Sequence, residues 1–194
     1  MNAKHTQSDF TEPAPAQPAA SQPSSAQAAL AAAVTSSGQT VAQLSQSSPV
    51  LLVFLRHFGC TFCREAMADV ASQQPAIKAG NVQIVLVHMG EGQIAEKYLQ
   101  KYGLGNLPHI SDPQQSFYKA MGLRRGTLGQ LFGLKSWIRG FTAGILSGHL
   151  VGKLAGDGFQ MPGVFLISRG QIIKTFRHTS AADRPDYTKL ACQI

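Results

Sequence analysis

The chain has 194 residues, a length that suits one domain with a tail. Its three cysteines are too few, and odd in number, for a secreted disulfide scaffold, and the opening MNAKHTQSDFTEPAPAQ lacks the basic-then-apolar order of a secretory signal. The net charge of +7 favours acidic partners without choosing among nucleic acid, lipid headgroups and anionic metabolites.

Residues 1–38 consist mainly of Ala, Pro, Gln and Ser, a composition with little to bury, and are expected to form a disordered tail. One exception is SSAQAALAAAV (24–34), whose alanines favour a helix. The folded domain is expected over 39–194. PVLLVFL (49–55) is a short continuous apolar run, the pattern of a strand buried on both faces. CREAMADVASQQ (63–74) predicts a helix on the spacing of Ala66, Met67 and Val70. VQIVLVHMG (82–90) reads as a second buried strand. EGQIAEKYLQKYG (91–103) reads as a helix with Ile94, Tyr98 and Tyr102 on one face and Gly103 as its cap. LPHISDPQQSFYKAMGL (107–123) predicts a short strand, a turn at Asp112-Pro113 and a third helix.

Residues 124–157 predict a basic helical insert. Leu134, Ile138, Phe141 and Ile145 share one helical face, and Lys135 and Arg139 lie beside it. Its apolar stripe covers core or, in a sharper reading, meets a membrane surface or an acidic partner. Residues 140–152 are 13 in number, short of the roughly 20 that a membrane span needs, so no transmembrane segment is expected. No nucleic-acid recognition pattern is present. PGVFLIS (162–168) and QIIKTFRH (171–178) predict a hairpin across Arg169-Gly170, and 184–193 a last helix capped by Asp183. Helices between the early strands imply parallel pairing, and the hairpin implies an antiparallel edge. The expected fold is α/β, one mixed sheet flanked by helices.

The chemistry centres on FLRHFGCTFCRE (54–65). Cys60 and Cys63 fall where a strand passes into a helix. Unpaired backbone N–H groups and the helix dipole favour a thiolate there, and the thiolate is the reactive form. Arg56, His57 and Arg64 add positive potential. A second thiol one turn on can attack a sulfenic acid or mixed disulfide formed on the first. Cys60 is therefore the expected nucleophile and Cys63 the resolving thiol. A structural zinc site would want four ligands, usually as two close pairs, and only Cys192 remains as a further cysteine. Inert buried thiols are the third alternative. A C-x-x-C beside a βαβ pattern reads as thioredoxin-like redox chemistry, with no metal or other cofactor required.

In these residues, and in PHISDPQQSFYKAMGL (108–123) and GDGFQMPGVFLISRGQIIKTFRH (156–178), the chain resembles the thioredoxin-fold superfamily. Within it, the chain is similar to peroxiredoxin-like proteins of the alkyl hydroperoxide reductase/thiol-specific antioxidant (AhpC/TSA) group. The resemblance implies a thioredoxin-like sheet and antioxidant or disulfide-exchange activity on the Cys60–Cys63 pair. It also implies a peroxide or small thiol substrate and an external thiol reductant such as thioredoxin or glutathione. Pro162, after Met161, would be a cis proline lying against the cysteines, with the Met161 backbone left to pair with substrate. Typical peroxiredoxins carry Pro-x-x-x-Thr/Ser-x-x-Cys, and counting back from Cys60 those places hold Val53 and His57. His57 would then replace the missing hydroxyl as a donor. His88 reads as structural, and HTSAADRPD (178–186) either as a turn with helix capping or as a border of the site through His178 or Arg184. The alternative to an enzyme is a thioredoxin-fold binding or redox-sensing module that docks through its basic insert. A cytoplasmic location follows from the cysteine usage.

Overall fold

The computed structural model describes residues 24–58, 61–127, 157–180 and 182–192. The tail up to residue 23, Cys60 and nearly all of the expected insert lie outside the described residues. Within them the order is α1 (Ser25–Ala32), α2 (Val41–Ser47), β1 (Val50–Phe54), α3 (Thr61–Ala79), β2 (Gln83–His88), α4 (Gly92–Lys101) and β3 (His109–Ser111). α5 (Ser116–Ala120), β4 (Gly163–Ser168), β5 (Gln171–Arg177) and α6 (Tyr187–Ala191) follow.

The strands form one sheet in the order β3-β2-β1-β4-β5. β1 pairs parallel with β2, and β2 with β3, whereas β4 runs antiparallel to both β1 and β5. The mixed sheet expected from the pattern is therefore present. Alternation along its strands makes two cores. Leu51, Val53, Ile84, Leu86, Val164 and Leu166 pack under α3, α4 and α6. Val50, Leu52, Phe54, Val85, Phe165 and Ile167 pack under α1, α2 and α5. All five β1 residues are buried because both faces are covered, each large apolar side chain contributing about 1.5–3 kcal/mol.

Several boundaries differ from expectation, each for a local reason. Residues 24–38 belong to the domain rather than to the tail. α1 opens on a Ser24–Gln27 capping box and buries Leu30 completely. α2 was not expected, and it opens on the same device at Thr40 and Gln43. α3 runs through Pro75 to Ala79. Full burial of Ile77 in its last turn offsets the roughly 3 kcal/mol that an internal proline costs. On α4 the buried residues are Ala95 and Leu99, and Ile94 is exposed, so the apolar face is rotated from the expected one. Gly103 does adopt the left-handed capping conformation. α6 is capped by Asp186, which accepts from Lys189 N, not by Asp183.

The Arg169-Gly170 hairpin forms, with φ of 49° and 73°. Both of these peptide N–H groups donate to Ser45 of α2, to its carbonyl at 2.8 Å and its Oγ at 2.9 Å. That anchoring holds an arginine in backbone space that usually favours glycine. No helix among the described residues is long and apolar enough to cross a membrane.

Asp112, in the turn before α5, is buried, and its carboxylate accepts from Ser116 N, Ser116 Oγ, Phe117 N and Tyr118 N at 2.8–3.2 Å. Asp112→Ala orphans these donors and is expected to destabilise the protein by about 2–3 kcal/mol in urea unfolding, with Asp112→Asn recovering part of the loss.

Candidate active site

Leu55–Phe58 carries the chain from β1 to α3, and every residue of it is buried. Leu55 is held at both backbone groups: its N–H donates to Val87 O at 2.8 Å, and its carbonyl accepts from Tyr118 Oη at 2.5 Å. Two buried arginines then brace the segment from opposite sides. Arg56 donates from Nε to Gln160 O at 3.1 Å and from Nη2 to Gly158 O, tying the end of β1 to the residues that precede β4. Arg64, on α3, donates from Nε back to Phe58 O at 3.1 Å and from Nη2 to Tyr98 Oη at 3.1 Å. Arg64 is therefore a buried brace and not a surface charge. Phe58 stacks on Tyr98 with centroids 5.0 Å apart, and a Cβ at Gly90 would come within 2.4 Å of its ring.

Cys63 sits in the first turn of α3 and is 4% exposed. Its Sγ accepts a hydrogen bond from Arg56 N at 3.3 Å, so the strand end and the helix start are joined through the sulfur itself. A cavity of about 20 Å³, room for one water, lies against Cys63, Arg56, Phe62, Pro162, His178 and Asp183. The structure thus brings Arg56, Cys63 and Pro162 to one cavity. Cys60 lies outside the described residues. The Met161-Pro162 bond is trans, since no cis peptide occurs among the described residues. The Met161 backbone is also already engaged: its N–H donates to Arg124 O, and its carbonyl accepts from Gln160 Nε2.

The histidines divide by environment. Burial, with Arg56 adding to it, lowers the His57 pKa to about 4 against the opposing pull of Asp157. His57 is therefore neutral near pH 7 and adds no positive potential, contrary to expectation. Its Nδ1 is buried without a hydrogen-bond partner. His178 resembles it: Nδ1 is unpartnered, and burial lowers the pKa to about 4, with Asp183 and nearby carbonyls opposing. His88 is structural. Its Nδ1–H donates to Gly90 O, which fixes the tautomer, so Nε2 accepts from His109 Nδ1, both at 2.9 Å.

The 178–186 stretch serves both of the roles considered for it. Asp183 ties its turn through Thr179 and Ser180, His178 lines the cavity, and Arg184 reaches α3 at Asp69 (2.5 Å from Nε) and Glu65 (3.2 Å). Gln160, 1% exposed and linking Arg56 to Arg124, carried no sequence signal. Cys192 is exposed at the end of α6 and does not line the cavity. Arg56→Met keeps the apolar stem but strands two carbonyls. It is expected to cost about 2–4 kcal/mol in urea unfolding and to slow thiol oxidation by loosening the contact to Cys63.

Residues 69–180 match the family model described as AhpC/TSA antioxidant enzyme. The chain belongs to the AhpC/TSA antioxidant enzyme family. The match begins six residues after Cys63, so membership rests on the body of the sheet and not on the cysteines. Prostamide/prostaglandin F synthase of Salmo salar is 29% identical over 138 residues, covering 69% of this chain and 68% of that protein. Peroxiredoxin-like 2C of Bos taurus is 27% identical over 153 residues, 74% of this chain and 67% of its own. Among solved structures, the Xanthomonas campestris bacterioferritin comigratory protein, described for its alkyl peroxide reduction activity, superposes with a TM-score of 0.54 at 15% identity. That superposition covers 77% of this chain and 82% of the other. The AhpC/TSA member described here is thus a peroxiredoxin-like thiol oxidoreductase with the thioredoxin fold.

Proposed function

We propose that the protein reduces peroxides, or exchanges disulfides, through the Cys60–Cys63 pair. The observation that carries the reading is the buried Cys63 thiol in the first turn of α3, hydrogen-bonded to the strand end beside a water-sized cavity. So enclosed a sulfur is poorly open to a bulky substrate, which suits the resolving role and leaves first attack to Cys60. In that cycle the Cys60 thiolate attacks one peroxide oxygen. The S–O bond forms, the O–O bond breaks, and the departing alkoxide takes a proton. Cys63 then attacks the sulfenic sulfur, the disulfide forms, and water leaves with the Cys63 proton. Two electrons pass from the sulfurs to the peroxide, and an external thiol such as thioredoxin or glutathione restores them. A reducing compartment such as the cytoplasm suits this cycle.

Stopped-flow mixing of the reduced protein with hydrogen peroxide tests the reading. A second-order rate well above that of free cysteine is expected, with peptide mapping recovering a Cys60–Cys63 disulfide. A rate no faster than free cysteine would leave disulfide exchange as the activity. A mapped disulfide to Cys192 instead would remove Cys63 from the resolving role.

A further inference from the structure

Pro162 and His178 line two recesses at once. One is the cavity at Cys63, and the other is a groove of about 560 Å³ whose remaining walls are Gly122, Leu123, Arg124, Arg125, Met161 and Arg177. The groove has the volume of a small-molecule site. Three arginines line it beside the apolar Leu123 and Met161, and the arginines are not equivalent. Arg125 is paired with Asp157 at 2.8 Å and lies over the Phe159 ring. Arg177 donates to Met121 O at 3.1 Å and lies 5.3 Å from the Phe165 ring centroid, which fixes its position. Gly122 lies beside it, and a Cβ there would only touch Arg177 Nη2 at 3.4 Å, so it is the φ of 71° that favours glycine. The Arg124 carbonyl is anchored by Met161 N, and its side chain is exposed. Among the described residues, neither Arg124 nor Arg177 forms an ion pair. Arginines and apolar side chains lining one recess, next to the residues that wall the cavity at Cys63, fit an amphipathic anion. Planar guanidinium groups match a carboxylate well.

We propose that this groove binds the carboxylate of a small molecule and presents the rest of that molecule to the cysteine site. What is presented rests on the thiol chemistry proposed above, whereas the binding itself does not. The carboxylate belongs either to an acidic hydroperoxide or to a glutathione-type thiol, and the two call for different probes.

Calorimetric titration of the reduced full-length protein with decanoate, with S-methylglutathione and with neutral decanol tests this without any redox step. Binding of decanoate or S-methylglutathione is expected, with decanol about tenfold weaker than decanoate and Arg124→Glu weakening the bound carboxylate about tenfold or more. Decanoate binding assigns the groove to an acidic peroxide, and S-methylglutathione binding assigns it to the thiol reductant. Failure of both probes to bind overturns the proposal, as does binding that Arg124→Glu leaves unchanged. Neither probe reacts with a thiol. A protein that binds one of them yet reacts slowly with hydrogen peroxide therefore refutes the peroxidase reading alone.

Discussion

Cys60→Ser is expected to lower the rate of peroxide-dependent oxidation by on the order of 10³-fold or more, because a serine hydroxyl is not ionised near pH 7 and no second group replaces the nucleophile. Cys63→Ser should behave differently. The first oxidation proceeds, steady-state turnover with thioredoxin or glutathione collapses, and a sulfenic acid accumulates that dimedone traps at Cys60. The asymmetry follows from burial. At 4% exposure, with Sγ held by Arg56 N, Cys63 is poorly placed to meet a peroxide. As the resolving thiol it need only meet a sulfur three residues away in the sequence. Single-turnover peroxide consumption and dimedone mass spectrometry measure the two steps separately. Equal loss of the first step in both variants would mean that the cysteines act as one unit and that the assigned order is wrong.

The sheet was legible because its strands are continuous apolar runs, and such runs have few alternatives once two faces are covered. The hairpin was legible from two apolar runs separated by Arg169-Gly170, although the reason Arg169 tolerates its conformation lies 124 residues away in Ser45. Local signals that went unread include the two capping boxes at Ser24 and Thr40, which mark α1 and α2 as plainly as any apolar pattern. The α4 face is rotated because Ala95 and Leu99 meet the core directly and Ile94 does not, while Tyr98 and Tyr102 pack half-buried at its edge. At the site, the Cys-x-x-Cys spacing is what the redox proposal starts from, but the state of its neighbours depends on tertiary burial. Arg56 and Arg64 read as free positive charges. In the fold their guanidinium groups hold backbone carbonyls at Gln160, Gly158 and Phe58. Nothing local in the sequence says that a polar side chain will be enclosed, so the neutrality of His57 and of His178 emerges only from the fold.

Enclosure of those histidines should make the protein acid-labile well above the carboxylate range. Burial lowers His57, His88 and His178 to about 4 in the folded protein, whereas in the unfolded chain they titrate near 6.5. Above pH 6.5 both states are neutral and the full stability is present. As the pH falls from 6.5 toward 4, the unfolded chain binds protons that the fold refuses, so stability is lost through that window. Each histidine removes about 2 kcal/mol by pH 5 and about 3 kcal/mol below pH 4. Together these losses rival the 5–15 kcal/mol that holds a typical domain folded. The loss at His88 has a visible geometric cause: protonation turns Nε2 into a donor aimed at the Nδ1–H of His109 only 2.9 Å away, so that hydrogen bond must break. Urea midpoints at pH 7.5 and pH 5 should differ by several kcal/mol in unfolding free energy, and His57→Gln should shrink that difference by about 2 kcal/mol. A midpoint that is flat over the same range would show that these rings take up protons without leaving the fold. They would then be far more hydrated than their enclosure allows.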